Sequence, residues 1–423
     1  MTPPGSTSAM GSRAARELLR LRAAAQGIGR SRTTAPGAGA SGALGAPGAS
    51  GAPGASGAPE ASRAGAITAA VSNLLAVQAQ DFGQASWALG LRAPGSTRGD
   101  LVEALDSAAV VRSWPMRGTL HFCTPGDLRM MLSITAARTV QSTGARHRQL
   151  GIDDALVARA EHIARGALTG GGSLTRDEYF GLLKAEGIDP GGQRGVHLIW
   201  LLAHAGVLCW GPARGTGQAM VLLDEWAPAT REPDRDEALG EFVLRYFTGH
   251  GPATLDDFCW WSKVTVADAK RGLARVRDRL STLELGDETY YLTGSDAGEP
   301  SGPDGLSGAG PTAAPRLPAT VALPGFDEYL LGYRRRTPAL PEQFAERIVP
   351  GNNGIFLPML VSHGTIVGTW KRSIGAKSVT VTLEPFGVLS DTERRGFERD
   401  LGRYARFLGL PLRMATPGKM VAP

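Results

Sequence analysis

The amino-acid sequence predicts an α+β protein: helix–helix–ribbon units recur in tandem ahead of a C-terminal β-rich, barrel-like domain. Three observations carry this expectation. Apolar residues at helical spacing are followed, three times over, by two β-type runs around a turn. Two Gly/Pro/Ser-rich stretches, Thr33–Ser62 and Gly294–Pro318, interrupt an otherwise globular composition. The last block contains a hairpin and an alternating strand, Val379-Thr380-Val381-Thr382-Leu383.

Composition sets the limits. At 423 residues, with 42% hydrophobic and 20% charged, the chain is too long for one ordinary core and suits two to four domains. A net charge of +5 permits a polyanion such as nucleic acid as partner. The three cysteines, Cys123, Cys209 and Cys259, lie far apart in apolar settings, too few for a disulfide framework or a zinc quartet. They predict buried packing in a reducing compartment. No signal peptide and no apolar run of membrane-spanning length is apparent, so a soluble, cytoplasmic protein is expected.

In chain order, residues 1–13 read as a disordered tail and Ala14–Ala25 as an arginine-rich helix. After the 33–62 insert, Ile67, Val71, Leu74 and Gln78 fall at i, i+4, i+7 and i+11, one stripe of a helix. Three are apolar and the fourth is a glutamine, where hydrocarbon belongs; a buried amide needs partners. Gln80, two residues on, lies about 200° around a helix of 3.6 residues per turn. The two amides share a face only if the helix breaks near Val77–Ala79 and the backbone becomes extended. Asp81 with Gln84 reads as an N-cap and capping-box partner for the next helix. Gly99–Ser107 predicts a short helix. Val110–Trp114 and Gly118–Cys123 predict strands around Pro115-Met116-Arg117, and Thr124-Pro125-Gly126-Asp127 starts a helix through Arg138. Helices followed by a two-stranded ribbon are the plan of a winged helix, here residues 14–140.

The plan recurs over 141–226. Ser173–Glu178 opens a helix, Val196–Ala205 is a second, and Gly206–Trp210 and Ala219–Leu223 are strands about a glycine-rich turn. It recurs again over 236–293, with helices Leu239–Thr248 and Val266–Leu280 and the ribbon Leu283–Leu285 with Thr289–Leu292. Val266, Ala269, Leu273, Val276 and Leu280 form a core seam. Arg271, Arg275 and Arg279 line another side, with Lys270 nearby, as a phosphate-facing row or a solvated face balanced by Asp268 and Asp278. Beyond 294–318, residues 319–423 predict the C-terminal domain: strands Ile355–Val361 and Thr365–Lys371 about a His363-Gly364 turn, the alternating strand, and a Ser390/Glu393-capped helix to Leu408.

Gln78-Ala79-Gln80-Asp81, Trp87-Ala88-Leu89-Gly90-Leu91-Arg92 and Arg112-Ser113-Trp114-Pro115-Met116-Arg117-Gly118-Thr119-Leu120-His121 together resemble the winged-helix DNA-binding domain family. That family includes the AlkZ-type DNA glycosylases that unhook interstrand crosslinks. The runs Leu222–Trp226, Leu323–Tyr333 and Val367–Trp370 are similar too, so the resemblance spans nearly all but the inserts and the first dozen residues. It implies tandem winged helices with a C-terminal β-barrel, double-stranded DNA as partner, and a catalytic Gln-x-Gln or Gln-x-Asp pair in the members that are enzymes. Gln78 and Gln80 match that pair, although Ala79 is smaller than the usual middle residue, and the insert at 33–62 departs from the family's pattern.

Glutamines suit one chemistry. A purine alkylated at N7 or N3 is already cationic and leaves as a neutral base, so no general acid is required. A held water and a stabilised oxocarbenium-like sugar suffice, and amide oxygens provide both. The structural alternative is that both amides bridge backbone at the helix break. Arg117 and His121 are candidate DNA contacts, with an acidic partner for Arg117 and a packed position for His121 as alternatives. Asp327 and Glu328 read as an acid/base pair or as a structural turn and salt bridge, and Arg334-Arg335-Arg336 as a solvated or DNA-facing turn. No phosphate-cradling loop, dinucleotide fingerprint or His-Glu-x-x-His occurs, and no metal or cofactor is expected. Two function classes remain open: a glycosylase of alkylated or crosslinked purines, and a non-catalytic DNA-binding protein or regulator. Either is expected as a nucleoid-associated monomer.

Overall fold

The computed structural model describes residues 12–29, 62–215, 217–229, 234–293 and 317–415. Residues 1–11 of the expected tail, and all but the last residues of the 33–62 and 294–318 inserts, lie outside the described residues.

Helix α1 (Ser12–Ala25) buries Leu18 and Leu19. Its Arg22, far from being solvated, is buried 3.7 Å from the centre of the Tyr333 ring and pairs with Asp257. Helix α2 (Arg63–Leu74) starts where Ser62 accepts the Gly65 amide and buries Ile67, Val71 and Leu74 completely. It ends because Leu75 takes a γ-turn conformation, φ 62° and ψ −51°, with the Ala76 N–H donating to the Leu74 carbonyl at 2.7 Å. Such a conformation costs a non-glycine residue about 1–3 kcal/mol, and complete burial of the Leu75 side chain offsets it. The extended stretch β1 (Val77–Gln78) and helix α3 (Phe82–Arg92) follow. Helix α4 (Arg98–Asp106) begins with a Thr97/Asp100 capping box. Strands β2 (Val111–Met116) and β3 (Thr119–Cys123) form the first ribbon. Thr124 caps α5 (Pro125–Ser142), which runs a turn beyond the expected Arg138 because nothing after that residue breaks a helix.

Helices α6 (Gly144–Gln149), α7 (Asp154–Leu168), α8 (Arg176–Ala185) and α9 (Arg194–His204) precede strands β4 (Leu208–Arg214) and β5 (Gly217–Leu222) and the short α10 (Leu223–Trp226). Then come α11 (Arg235–His250), α12 (Leu255–Ser262) and α13 (Val266–Val276), followed by the ribbon β6 (Ser281–Leu285) and β7 (Glu288–Leu292). The expected Val266–Leu280 helix is shorter: a 3-10 turn takes Arg277–Arg279, so Arg279 leaves the arginine row. Val266 is exposed, not part of the seam, whereas Ala269, Val276 and Leu280 are buried.

The C-terminal region holds β8 (Thr320–Leu323), α14 (Glu328–Leu331), α15 (Ala345–Ile348), β9 (Met359–Ser362), β10 (Thr365–Ile374), β11 (Val379–Pro385), α16 (Asp391–Leu408) and β12 (Leu412–Ala415). The His363-Gly364 turn and the Ser390/Glu393 capping box form as expected. The expected barrel does not. The sheet is open, in the order β12-β11-β10-β9-β8, because α16 packs across β8 instead of letting that edge meet β12.

The ribbons of the first two units are not separate wings. They share one antiparallel sheet, β1-β3-β2-β4-β5, joined where Arg112 faces Trp210. Among the described residues only β6–β7 remains a two-stranded ribbon. Among the described residues no helix is long and apolar enough to cross a membrane. Cys123 and Cys209 are buried as expected, while Cys259 is half-buried.

Helix α3 ties the glutamine stretch to the C-terminal sheet. Trp87 packs on Tyr404 and Phe407, with ring centroids 5.2 and 5.7 Å away, and its indole N–H donates to the Ala322 carbonyl. At the other end of α3, Arg92 donates both terminal nitrogens to Asp327 at 2.8 Å, both side chains being fully buried. Removing one partner strands a buried charge, so Asp327→Ala should cost about 3–5 kcal/mol of unfolding free energy, read as a lowered midpoint in urea.

Candidate active site

The site is built on an edge strand. β1 pairs antiparallel with β3, placing Val77 opposite Phe122 and Gln78 opposite His121. The Ala79 N–H continues the ladder to the Leu120 carbonyl at 2.7 Å. There the ladder stops. The Ala79 carbonyl accepts two N–H bonds from Arg112, at 3.0 and 2.7 Å, which leaves the Leu120 N–H without that backbone acceptor. The Gln80 side chain supplies the missing acceptor: its Oε1 takes the Leu120 N–H at 3.0 Å. The helix ends at Leu74, earlier than expected, while the extended backbone at Val77–Gln78 falls within the expected Val77–Ala79 stretch.

Gln78 is nearly buried, at 9% exposure, whereas Gln80 is exposed. The Gln78 Oε1 faces the Arg117 Nη2 at 3.5 Å, the outer limit for a hydrogen bond. The same Nη2 lies 3.0 Å from His121 Nε2, and His121 Nδ1 lies 2.8 Å from the Thr119 carbonyl. Because a guanidinium only donates, His121 Nε2 must accept and Nδ1 must carry the proton that Thr119 receives. Burial, then the Arg117 charge, hold the His121 pKa well below its ordinary value, so the ring is neutral. Arg117 itself sits in a tight turn, φ 57°, followed by Gly118 at φ 67°. Burial pushes its pKa down, partly offset by the charge of buried Glu328. Burial likewise lowers Arg112 to about 10, which leaves it protonated at neutral pH.

The geometry therefore brings together Gln78, Arg117 and His121, with Gln80 adjoining through Leu120. His121 is fully buried with both ring nitrogens occupied, so the expected DNA contact is replaced by a hold on Arg117. Lys270, Arg271, Arg275 and Arg279 are all exposed, apart from this group, and Arg271 is neutralised by Asp236 and Asp268 at 2.6 and 3.5 Å. Asp327 and Glu328 do not pair with one another. Asp327 binds Arg92, and Glu328 accepts the Trp261 indole N–H at 2.8 Å. Asp81 caps α3 as expected, but the Gln84 side chain closes no capping box, accepting the Gly325 amide instead. Arg112 was not singled out as a site residue. Its signal was present: a lone charge in the β-type run Val110–Trp114 must find a partner.

The family model for AlkZ-like DNA glycosylases matches residues 71–407, from the helix before the glutamines to the end of α16. This chain belongs to the AlkZ-like DNA glycosylase family. As a DNA glycosylase it is a hydrolase of N-glycosyl bonds. It is similar to the interstrand DNA cross-link repair glycosylase of Streptomyces sahachiroi, being 27% identical over 363 residues, 81% of this chain and 92% of that one. The solved structure of Streptomyces sahachiroi DNA glycosylase AlkZ shares the fold, with a TM-score of 0.66 and 24% identity, covering 83% of this chain and 94% of that one.

Two outcomes follow from the geometry of this AlkZ-like glycosylase. Arg112→Lys keeps the charge but loses the two-pronged hold on Ala79, a charged hydrogen bond worth about 1.5–3 kcal/mol. Base release should fall on the order of tenfold or more, with duplex affinity changing far less. The second concerns pH. His121 has a folded pKa below its unfolded one, so the unfolded chain takes the proton first as pH falls. Its contribution to stability is complete above about pH 6.5 and is lost below it. His147, His197 and His204 are shifted the same way by burial, the last to about 4. The urea midpoint should therefore fall between about pH 7.5 and pH 5, and His121→Asn should flatten that dependence.

Proposed function

We propose that this protein is a monofunctional DNA glycosylase that hydrolyses the N-glycosidic bond of alkylated or crosslinked purines in double-stranded DNA, with Gln78 and Gln80 holding the attacking water. The observation that carries this reading is the state of the two amide oxygens. Each faces one donor, Arg117 for Gln78 and the Leu120 N–H for Gln80. An amide oxygen accepts two hydrogen bonds, so each retains a lone pair for a water O–H. A water held by two such oxygens turns its own lone pair toward C1′ of the sugar.

The bond that breaks is C1′–N9. Its electron pair goes to the purine, neutralising the positive charge of the N7- or N3-alkylated base, which leaves without being protonated. The water oxygen bonds to C1′ and its surplus proton passes to solvent. The amide dipoles lower the energy of the oxocarbenium-like sugar between these events. The cross-link repair glycosylase to which the chain is similar supports crosslinked purines as the substrate class. A crosslinked base is tethered to the other strand and does not turn out of the duplex as an ordinary flipped base does. In this reading the unit of α11–α13 and the β6–β7 ribbon grips the duplex as a winged helix, and Lys270 and Arg275 on α13 meet phosphates.

The test is release of N7-alkylguanine from duplex DNA. Gln78→Ala and Gln80→Ala should each slow it by roughly 100-fold while duplex affinity is retained, and the double variant should be little slower than either single one. Undiminished release would dismiss the glutamines as the water-holding pair. No release by the wild-type protein, with binding intact, would leave only a gripping role.

A further inference from the structure

Among the described residues, three cations from separate segments gather beside the site with no carboxylate hydrogen-bonded to any of them. Arg117 comes from the β2–β3 turn, Lys263 from the left-handed cap of α12, and Arg336 from the loop after α14. Lys263 Nζ lies 5.4 Å and the Arg336 guanidinium 4.9 Å from the centroid of the same Trp260 ring. Arg117 and Lys263 line one cleft of about 520 Å3 together with Thr265 and Asp268, a carboxylate already engaged by Arg235 and Arg271, and Arg336 adjoins Lys263 across the Trp260 ring. Among the described residues none of the three is hydrogen-bonded to a carboxylate. Their neighbours differ: Arg334 is neutralised by Asp256 and Arg335 by Glu288, both at 2.6 Å.

Two further facts favour an anionic partner at this place. The Nε atoms of Arg117 and of Arg336 are both buried without a hydrogen-bond partner, although a buried donor ordinarily has one. The three groups also repel: burial and the Arg117 charge lower the pKa of Arg336, and burial, Arg117 and Arg334 lower that of Lys263. Glu328 acts on Arg117 through space but bonds to Trp261 and faces His250, not to Arg117. Like charges with no carboxylate hydrogen-bonded to them are relieved by a bound anion. Two guanidinium forks and an ammonium match the tetrahedral oxygens of a phosphate group.

We propose that Arg117, Lys263 and Arg336 form a clamp for a single phosphodiester of the DNA strand, seated where Arg117 also touches Gln78. The proposal rests on the glycosylase reading for its ligand. The clamp sets the register of the strand relative to the glutamines: the phosphate it holds flanks the nucleotide whose base is removed. It differs from the α13 row, which is exposed and served by Asp236 and Asp268.

The experiment measures binding of full-length protein to a fluorescent lesion-containing duplex across salt concentrations. Each neutralised phosphate contributes about 0.9 to the log–log salt slope. The Lys263→Gln/Arg336→Gln variant should lose about 0.9, one phosphate, whereas two independent phosphate contacts would lose about 1.8. Arg334→Gln, beside the clamp but paired, should leave the slope unchanged. Scanning the lesion strand with single uncharged methylphosphonate linkages should find one position that weakens wild-type binding about tenfold and the double variant less than about twofold. Should the double variant unfold, the single Lys263→Gln change at an exposed side chain carries the same scan, with the penalty reduced. A slope loss near zero or near 1.8, or no such linkage, overturns the clamp. So does inorganic phosphate that binds at constant ionic strength without displacing DNA, since the site would then serve a free anion. Gln78→Ala, expected to slow base release roughly 100-fold, should retain the methylphosphonate penalty, so failure of the clamp and failure of the glycosylase reading are told apart.

Discussion

Arg112 takes the Ala79 carbonyl with two N–H groups, and the surrounding geometry follows from that bond. Without it the β1–β3 ladder would run on, the Leu120 N–H would bond to backbone, and the Gln80 side chain would be free to swing into solvent. With it, a buried carbonyl is satisfied, an amide is displaced, and a glutamine is fixed to receive it. The arrangement converts a helix break into two oriented amide oxygens. Burial strengthens it, since a charged hydrogen bond removed from water is worth more than an exposed one.

The rest of the chain keeps the break in place. Leu75 ends α2 in a γ-turn of positive φ, stabilised by its own burial. Arg245 of α11 donates to the Ser72 carbonyl at that end and is paired with Asp127 of α5. Downstream, α3 is clamped to the C-terminal sheet by Trp87 and by the Arg92–Asp327 pair. The C-terminal region is therefore a structural support for the glutamine stretch. This accounts for the Phe-Asp-Glu run: Asp327 holds α3, and Glu328 lies behind Arg117 against Trp261.

Local signals in the sequence were reliable where the physics is local. Ser62, Thr97, Thr124, Thr175, Thr254 and Ser390 cap helices because each side chain reaches an amide two or three residues on. The Ile67–Val71–Leu74 stripe and the His363-Gly364 turn form for the same kind of reason. Signals that depend on a distant partner were ambiguous. The Asp81-Gln84 pair has the spacing of a capping box, yet Gln84 finds the Gly325 amide, 241 residues away, instead. Arg271 belongs to a row suited to phosphates, yet two carboxylates reach it first.

By itself the sequence determined that this is an α+β chain with repeated helix–ribbon units, a broken helix carrying Gln78 and Gln80, and no run of membrane-spanning length. Periodicity, caps and turns are properties of neighbouring residues, and so they are written in order along the chain. Only the tertiary structure decided that two ribbons join one sheet, that the C-terminal strands stay open, and that His121 serves Arg117 from a buried position. It also decided which arginines are spent on carboxylates and which are left uncompensated. Those outcomes turn on hydrogen bonds and charges competing across hundreds of residues, and the winner of such a competition is set by distance in space.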